Sequence, residues 1–194
     1  YYGAKDYKKM RQCIGASAIL TLVTSIVLTI LGLVFIRPIL VLLKTPDNII
    51  DMANDYVVII IAGIIFCSLY NLCANILRAV GDSKTPLIFL GISVVLNVVL
   101  DLLFIRAFDM GVKGAAIATD ISQALAGILA FAYICLKAKH LIPKKDEYAV
   151  TKEDRSDLIQ SALAMGFMSC IVNIGTVILQ RAINNLGTDI VTAH

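Results

Sequence analysis

Five runs of apolar residues dominate this chain. They cover positions 14–36, 56–77, 86–105, 114–136 and 158–180. A bilayer core is crossed by about 20 apolar residues in a helix, and each run meets that length. Five such runs in one chain are not buried soluble helices. Composition agrees: 59% of the 194 residues are hydrophobic and 16% are charged, against roughly a quarter charged in soluble domains. The expected fold is an all-α integral membrane protein with five transmembrane helices.

Three of the runs hold no charge. The third holds Asp101 and the fourth Asp120. An acid at the centre of a span costs about 2.5–3.5 kcal/mol on insertion scales, so each needs a reason. In the third run Asn97 lies four residues before Asp101, and Ser93 four before that. Spacing of four puts all three on one helical face. A carboxylate whose protonation depends on which aqueous side it meets is the working part of a proton-coupled carrier. With the Asn97 carbonyl and a hydroxyl it could equally hold Na⁺, a hard cation that prefers oxygen ligands. Service in helix association alone is the competing reading. Asp120 divides between packing against another helix and relaying an ion.

Sidedness is read from the basic residues. Lys5, Lys8, Lys9, Arg11, Arg78, Lys84, Lys137, Lys139, Lys144, Lys145, Lys152 and Arg155 fall on one side of a five-span topology. Arg37, Lys44, Arg106, Lys113 and Arg181 fall on the other. The positive-inside rule places the first side in the cytoplasm, with residue 1 and the 137–157 loop. The opening YYGAKDYKKMRQ reads as a loop between spans, and an excerpt of a longer protein is expected.

Local signals set the helix ends. Thr45-Pro46-Asp47 reads as N-cap, first position and acidic first turn, so a helix is expected from Pro46, entering the bilayer near Tyr56. Arg37-Pro38 is expected to start an exit from the first span, Gly81 to cap the second run in the αL conformation, and Thr85-Pro86 to cap the third. Ser17, Thr21, Ser25 and Thr29 recur at steps of four and suit close helix packing. Gly114, Ala115, Ala116, Ala118, Ser122, Ala126 and Gly127 make the fourth span small on its surface, so it should approach its neighbours closely. Spans three and four, joined by about eight residues, should be antiparallel neighbours. The last span carries Met165, Ser169, Asn173, Thr176 and Gln180 at steps of three and four, either a packing face or a cavity wall.

The five cysteines lie in or beside the apolar runs without a CxxC pair and read as small apolar packers. No P-loop, GxSxG or His/Cys metal pattern is present, and the basic residues follow membrane side rather than one surface. No enzyme, no nucleic-acid partner and no cofactor are expected.

GDSKTP at 81–86, LNVVLD at 96–101 and GVKGAAIAT at 111–119 together resemble the multidrug and toxic compound extrusion (MATE) family, and so do YYGAKD at the start and LGTDIVTAH at 186–194. The resemblance is to prokaryotic members with an acidic N-lobe, the DinF-like branch. It implies helices three to seven of a twelve-helix, two-lobe antiporter in the cell inner (plasma) membrane. Residues 1–136 would be N-lobe, 137–157 the cytoplasmic inter-lobe loop, and 158–194 the first C-lobe helix and the loop after it. It implies cation coupling at Asp101 and Asn97 with Thr119 and Tyr56, the cation being H⁺ or Na⁺. Na⁺ would be held by Asp101, Asn97 and Thr119. It implies export of organic, often cationic compounds by alternating access. Met165, Asn173 and Thr176 are the candidate substrate-cavity residues. Asp120 is outside the family pattern. The partners implied are a small organic substrate, the bilayer and the remainder of the same transporter. The alternatives are a lipid-linked saccharide flippase of related fold, disfavoured by the absence of basic residues inside the spans, and a non-transporting membrane scaffold subunit.

Overall fold

The computed structural model describes residues 3, 6–42, 47–143 and 152–184, with side chains described for 6–42, 49–143 and 155–176. The helices are α1 (Tyr7–Leu42), α2 (Asp47–Ala62), α3 (Ile64–Ala79), α4 (Lys84–Leu102), α5 (Gly111–Lys137) and α6 (Lys152–Asn184). A π-turn at Leu103–Ala107 extends α4, and a 3₁₀ turn at Lys139–Leu141 follows α5. Among the described residues five helical segments are long and apolar enough to cross a membrane, α2 and α3 together making one of them. Residues 1–149 form one compact unit and 150–194 another.

Within the first unit α5 is the central helix, packed against α2, α3 and α4. The small residues expected to allow this do so. Ala116, Ala118, Ala126 and Ala130 have no exposed surface. A Cβ added at Gly127 would lie 3.2 Å from the Phe66 carbonyl oxygen of α3, and one at Gly114 would lie 2.9 Å from Phe104 Cβ. Without a hydrophobic drive between helices in lipid, such close backbone contact is what makes association favourable. The continuous core sits at one end of the bundle, where Met10, Tyr70, Cys73, Leu77, Ala126, Ala130, Ile134 and Leu141 meet.

The turn from α3 to α4 is held from both sides. Gly81, at φ 93°, closes α3 as expected of an αL residue. Its N–H donates to Arg78 O at 3.0 Å and Asp82 N–H donates to Leu77 O at 2.9 Å, the paired bonds of a Schellman motif. The cap of α4 differs from the expectation. The helix starts at Lys84, and Asp82 Oδ1 accepts the Thr85 N–H at 3.0 Å. An ionised carboxylate is the stronger acceptor, so Thr85 lies inside the first turn instead of capping it. Tyr133 Oη of α5 donates to Asp82 Oδ2 at 3.4 Å, and buried Tyr70 Oη of α3 donates to Pro86 O at 3.0 Å.

Other boundaries also moved. Pro38 does not end α1, which runs on to Leu42; so near a C-terminus the missing N–H costs one bond and no break. The second run is interrupted at Gly63, which separates α2 from α3. The hinge between the third and fourth spans shrinks to Phe108–Met110, because the π-turn lengthens one helix and α5 starts early at Gly111. Thr45 and Pro46 lie outside the described residues. α6 starts at Lys152, six residues before the expected span.

The hydrogen bonds from Thr85 hold the Asp82 carboxyl below its usual range, with a smaller contribution from Tyr133. A depressed folded pKa adds stability that is present above the unfolded value and lost as pH falls through the folded one. Asp82→Asn is therefore expected to flatten the acid side of the stability profile, and Asp82→Ala to cost about 1 kcal/mol in cap energy. Thermal unfolding of the full-length gene product in detergent, followed from neutral pH downward, measures both.

Candidate functional site

α4 and α5 pack side by side and bring two of the expected residues together. Asn97 Nδ2 donates to Thr119 Oγ1 at 3.4 Å, and Thr119 Oγ1 donates to Ala115 O at 2.9 Å. One turn further along Ser93 Oγ donates to Ser122 O at 2.7 Å, both residues being buried. The α4 stripe read from spacing is thus the seam against α5.

Asp101 follows Asn97 by one turn on the same face. Its Oδ1 is buried and has no hydrogen-bond partner among the described residues. A buried carboxylate oxygen without a donor is costly unless a proton or a cation satisfies it. The π-turn begins two residues later, with Phe108 N–H bonded to Leu103 O at 3.1 Å across five residues. Such single π-turns widen a helix locally and are frequent at functional sites. The oxygens along this seam are a carboxylate, an amide carbonyl and a hydroxyl, the ligand types that hard cations take.

Tyr56 sits half-buried on α2, and no hydrogen bond among the described residues joins it to Asp101, Asn97 or Thr119. Its neighbour Asp55 pairs instead with Lys113 of α5 at 2.8 Å. That ion pair ties α2 to the start of α5, and sequence reasoning missed it. The available signal was an acid and a base at the same end of two adjacent spans.

Asp120 occupies a different face of α5. Its carboxylate rests on Gly63, where any Cβ would collide with Oδ1, Cγ and Oδ2. Gly63 is the junction of α2 and α3: its N–H donates to Ile59 O, and its O accepts from both the Phe66 and Cys67 N–H. Thr29 Oγ1 of α1 donates to the adjacent Ile61 O at 3.4 Å. Of the two roles open to Asp120, the contact observed is packing against another helix. Gln123, one turn along α5, has a buried Oε1 without a partner among the described residues.

In the second unit, Met165, Asn173 and Thr176 are exposed on α6. Asn173 Nδ2 donates to Ser169 O at 2.8 Å and Thr176 Oγ1 to Val172 O at 3.0 Å. Both polar groups bond their own helix, which is how hydroxyls and amides on membrane helices satisfy themselves without a partner helix.

Gly63→Ala is expected to displace the Asp120 carboxylate and cost about 1–3 kcal/mol, the usual range for overpacking. Asp120→Ala in the same protein should return most of that loss. A double-mutant cycle on the full-length gene product, read by thermal unfolding, checks the coupling; additive losses would contradict the contact.

Comparison with known proteins identifies the family and the fold. A family model for MatE matches residues 1–103. The probable multidrug resistance protein YpnP of Bacillus subtilis (strain 168) is 35% identical over 190 residues, 98% of this chain and 42% of that protein. The probable multidrug resistance protein YoeA of the same organism is 28% identical over 201 residues, covering 100% of this chain and 43% of that protein. A solved outward-facing multidrug resistance MATE family transporter of the MOP superfamily shares the fold, with TM-score 0.79 at 20% identity over 93% of this chain and 45% of that one. The chain therefore spans less than half the length of these relatives. With five membrane-crossing helices, a matching family model and relatives of this kind, the chain belongs to the MATE family.

Proposed function

We propose that this chain is the cation-coupling part of a multidrug efflux antiporter. H⁺ or Na⁺ binds at Asp101 with Asn97 and Thr119, and binding biases a two-lobe alternating-access cycle. The observation that carries this reading is Asp101 Oδ1, buried and without a hydrogen-bond partner among the described residues, one turn from the Asn97–Thr119 pair. A cation supplies what the protein leaves missing there. The names of YpnP and YoeA, both probable multidrug resistance proteins, support organic compounds as the exported class. Tyr56 would act from α2, and Met165, Asn173 and Thr176 of α6 would line the cavity that receives the compound. The basic residues at one end of the spans support a cytoplasmic position for residue 1 and for the 137–157 loop, in the plasma membrane.

A bound cation would neutralise Asp101 and remove its need for water. The neutral seam could then close, and the charged one could not. A site of this kind ties the direction of the cycle to whichever gradient loads it. The scaffold alternative asks Asp101 only to join helices, and it leaves Oδ1 unsatisfied.

The test is ethidium efflux by the full-length gene product in cells lacking their own pumps, with a pH or Na⁺ gradient imposed. Asp101→Asn should reduce gradient-driven efflux at least about tenfold, equivalent to about 1.4 kcal/mol. Thr119→Ala and Asn97→Ala should weaken it less. Undiminished efflux in Asp101→Asn would remove the coupling assignment; no efflux of any compound from correctly inserted protein would favour the scaffold.

A further inference from the structure

Away from the coupling seam, α1, α3 and α5 enclose a two-part groove at the end of the bundle that carries the core. One part, about 550 Å³, is apolar, with Leu22, Leu69, Ile134 and Leu141 in its wall together with the thiols Cys73 and Cys135. The other, about 570 Å³, is lined on its polar side by Ser17, Ser68, Asn71 and Asn75. Ile14, Thr21, Ser68, Leu72 and Ile76 line both, so the two parts are continuous. Each volume lies in the range of about 300–1,000 Å³ typical of small-molecule sites, and no charged side chain lines either part. Asn75 is exposed and makes no hydrogen bond to the described residues, leaving its amide for a ligand.

Charge is confined to the rim. Lys137 ends α5 and Lys139 lies in the 3₁₀ turn whose Leu141 floors the apolar part. Lys8 is two residues before Met10, which lines the polar part, and Arg78 adjoins Ala79 of the same part. All four are exposed. Among the described residues of the first unit, the acids at this end are Asp6, which caps the start of α1 through the Lys9 N–H, and Asp82, held in its turn.

Moving outward, the wall therefore changes from apolar to neutral hydrogen-bonding to cationic. We propose that this groove is a binding site for an anionic phospholipid of the leaflet on the lysine-rich side. An acyl chain fills the apolar part. The ester carbonyls accept from the hydroxyls and amides of Ser17, Thr21 and Asn75. The phosphate sits at the rim with Lys137 and Lys139, where basic residues attract anionic headgroups. The order of chemistry in the groove is the order of chemistry along one lipid molecule, and this complementarity selects the occupant.

A native cysteine reports on occupancy. The full-length gene product is reconstituted in phosphatidylcholine vesicles with or without phosphatidylglycerol, and N-ethylmaleimide labelling of Cys135, a half-buried thiol in the groove wall, is followed by mass spectrometry, with exposed Cys170 as reference. Phosphatidylglycerol should slow labelling of Cys135 several-fold. Lys137→Gln with Lys139→Gln, an exposed pair, should abolish that difference. Leu72→Trp, which fills the junction of the two parts, should slow labelling equally in both vesicles. Equal rates in the two vesicles, or a phosphatidylglycerol effect that survives the lysine changes, would overturn the proposal. So would a Cys135 thiol that stays unreactive in lipid-free detergent, because protein would then cover the groove.

Discussion

The close approach of α5 to its neighbours is the contact on which the rest of this structure depends. Lipid offers no hydrophobic reward for bringing helices together, so association depends on packing and on polar groups meeting each other. α5 presents fully covered alanines to its surroundings, and glycines where α3 and the end of α4 come nearest. That surface allows Asn97 to reach Thr119 and Ser93 to reach the Ser122 carbonyl. It also brings the Asp120 carboxylate onto the Gly63 backbone. A bulkier α5 would hold the helices apart and leave these polar groups facing hydrocarbon.

The same helix serves two acids in different ways. Asp101 belongs to α4 and looks along a seam of oxygens, with one of its own oxygens buried and unsatisfied. Asp120 belongs to α5 and is accommodated by a missing side chain at the interruption of α2 and α3. One arrangement leaves a carboxylate oxygen without a hydrogen bond among the described residues; the other is a steric fit. The π-turn after Leu102 adds to the contrast, since it locally widens the helix end next to Asp101.

Much of the architecture was legible because membrane helices announce themselves by length and apolarity. The polar stripe of α4 was legible because spacing of four is a helical face whatever the partner. Its partner Thr119 came from resemblance, and the structure supplies the 3.4 Å bond. Tyr56 came from the same resemblance, yet it does not join the others by hydrogen bonding. Helix ends were less legible. Thr85-Pro86 looked like a cap, but Asp82 three residues earlier is the better acceptor and takes the Thr85 N–H. Pro38 and the π-turn show that a breaker or a loop signal near a helix end can be absorbed by the helix. The role of Gly63 could not be read from a single sequence, because it depends on a side chain 57 positions away in the chain.

In the proposed antiport Asp101 holds the coupling cation, which is exchanged for the exported compound. Cation release on substrate binding tests it without a membrane gradient or a transport cycle. Ethidium is added to the detergent-solubilised full-length gene product in weak buffer, and proton and Na⁺ release are recorded together. The account predicts release of one of the two cations by the unsubstituted protein and none by Asp101→Asn that still binds ethidium. Equal release by Asp101→Asn would contradict it.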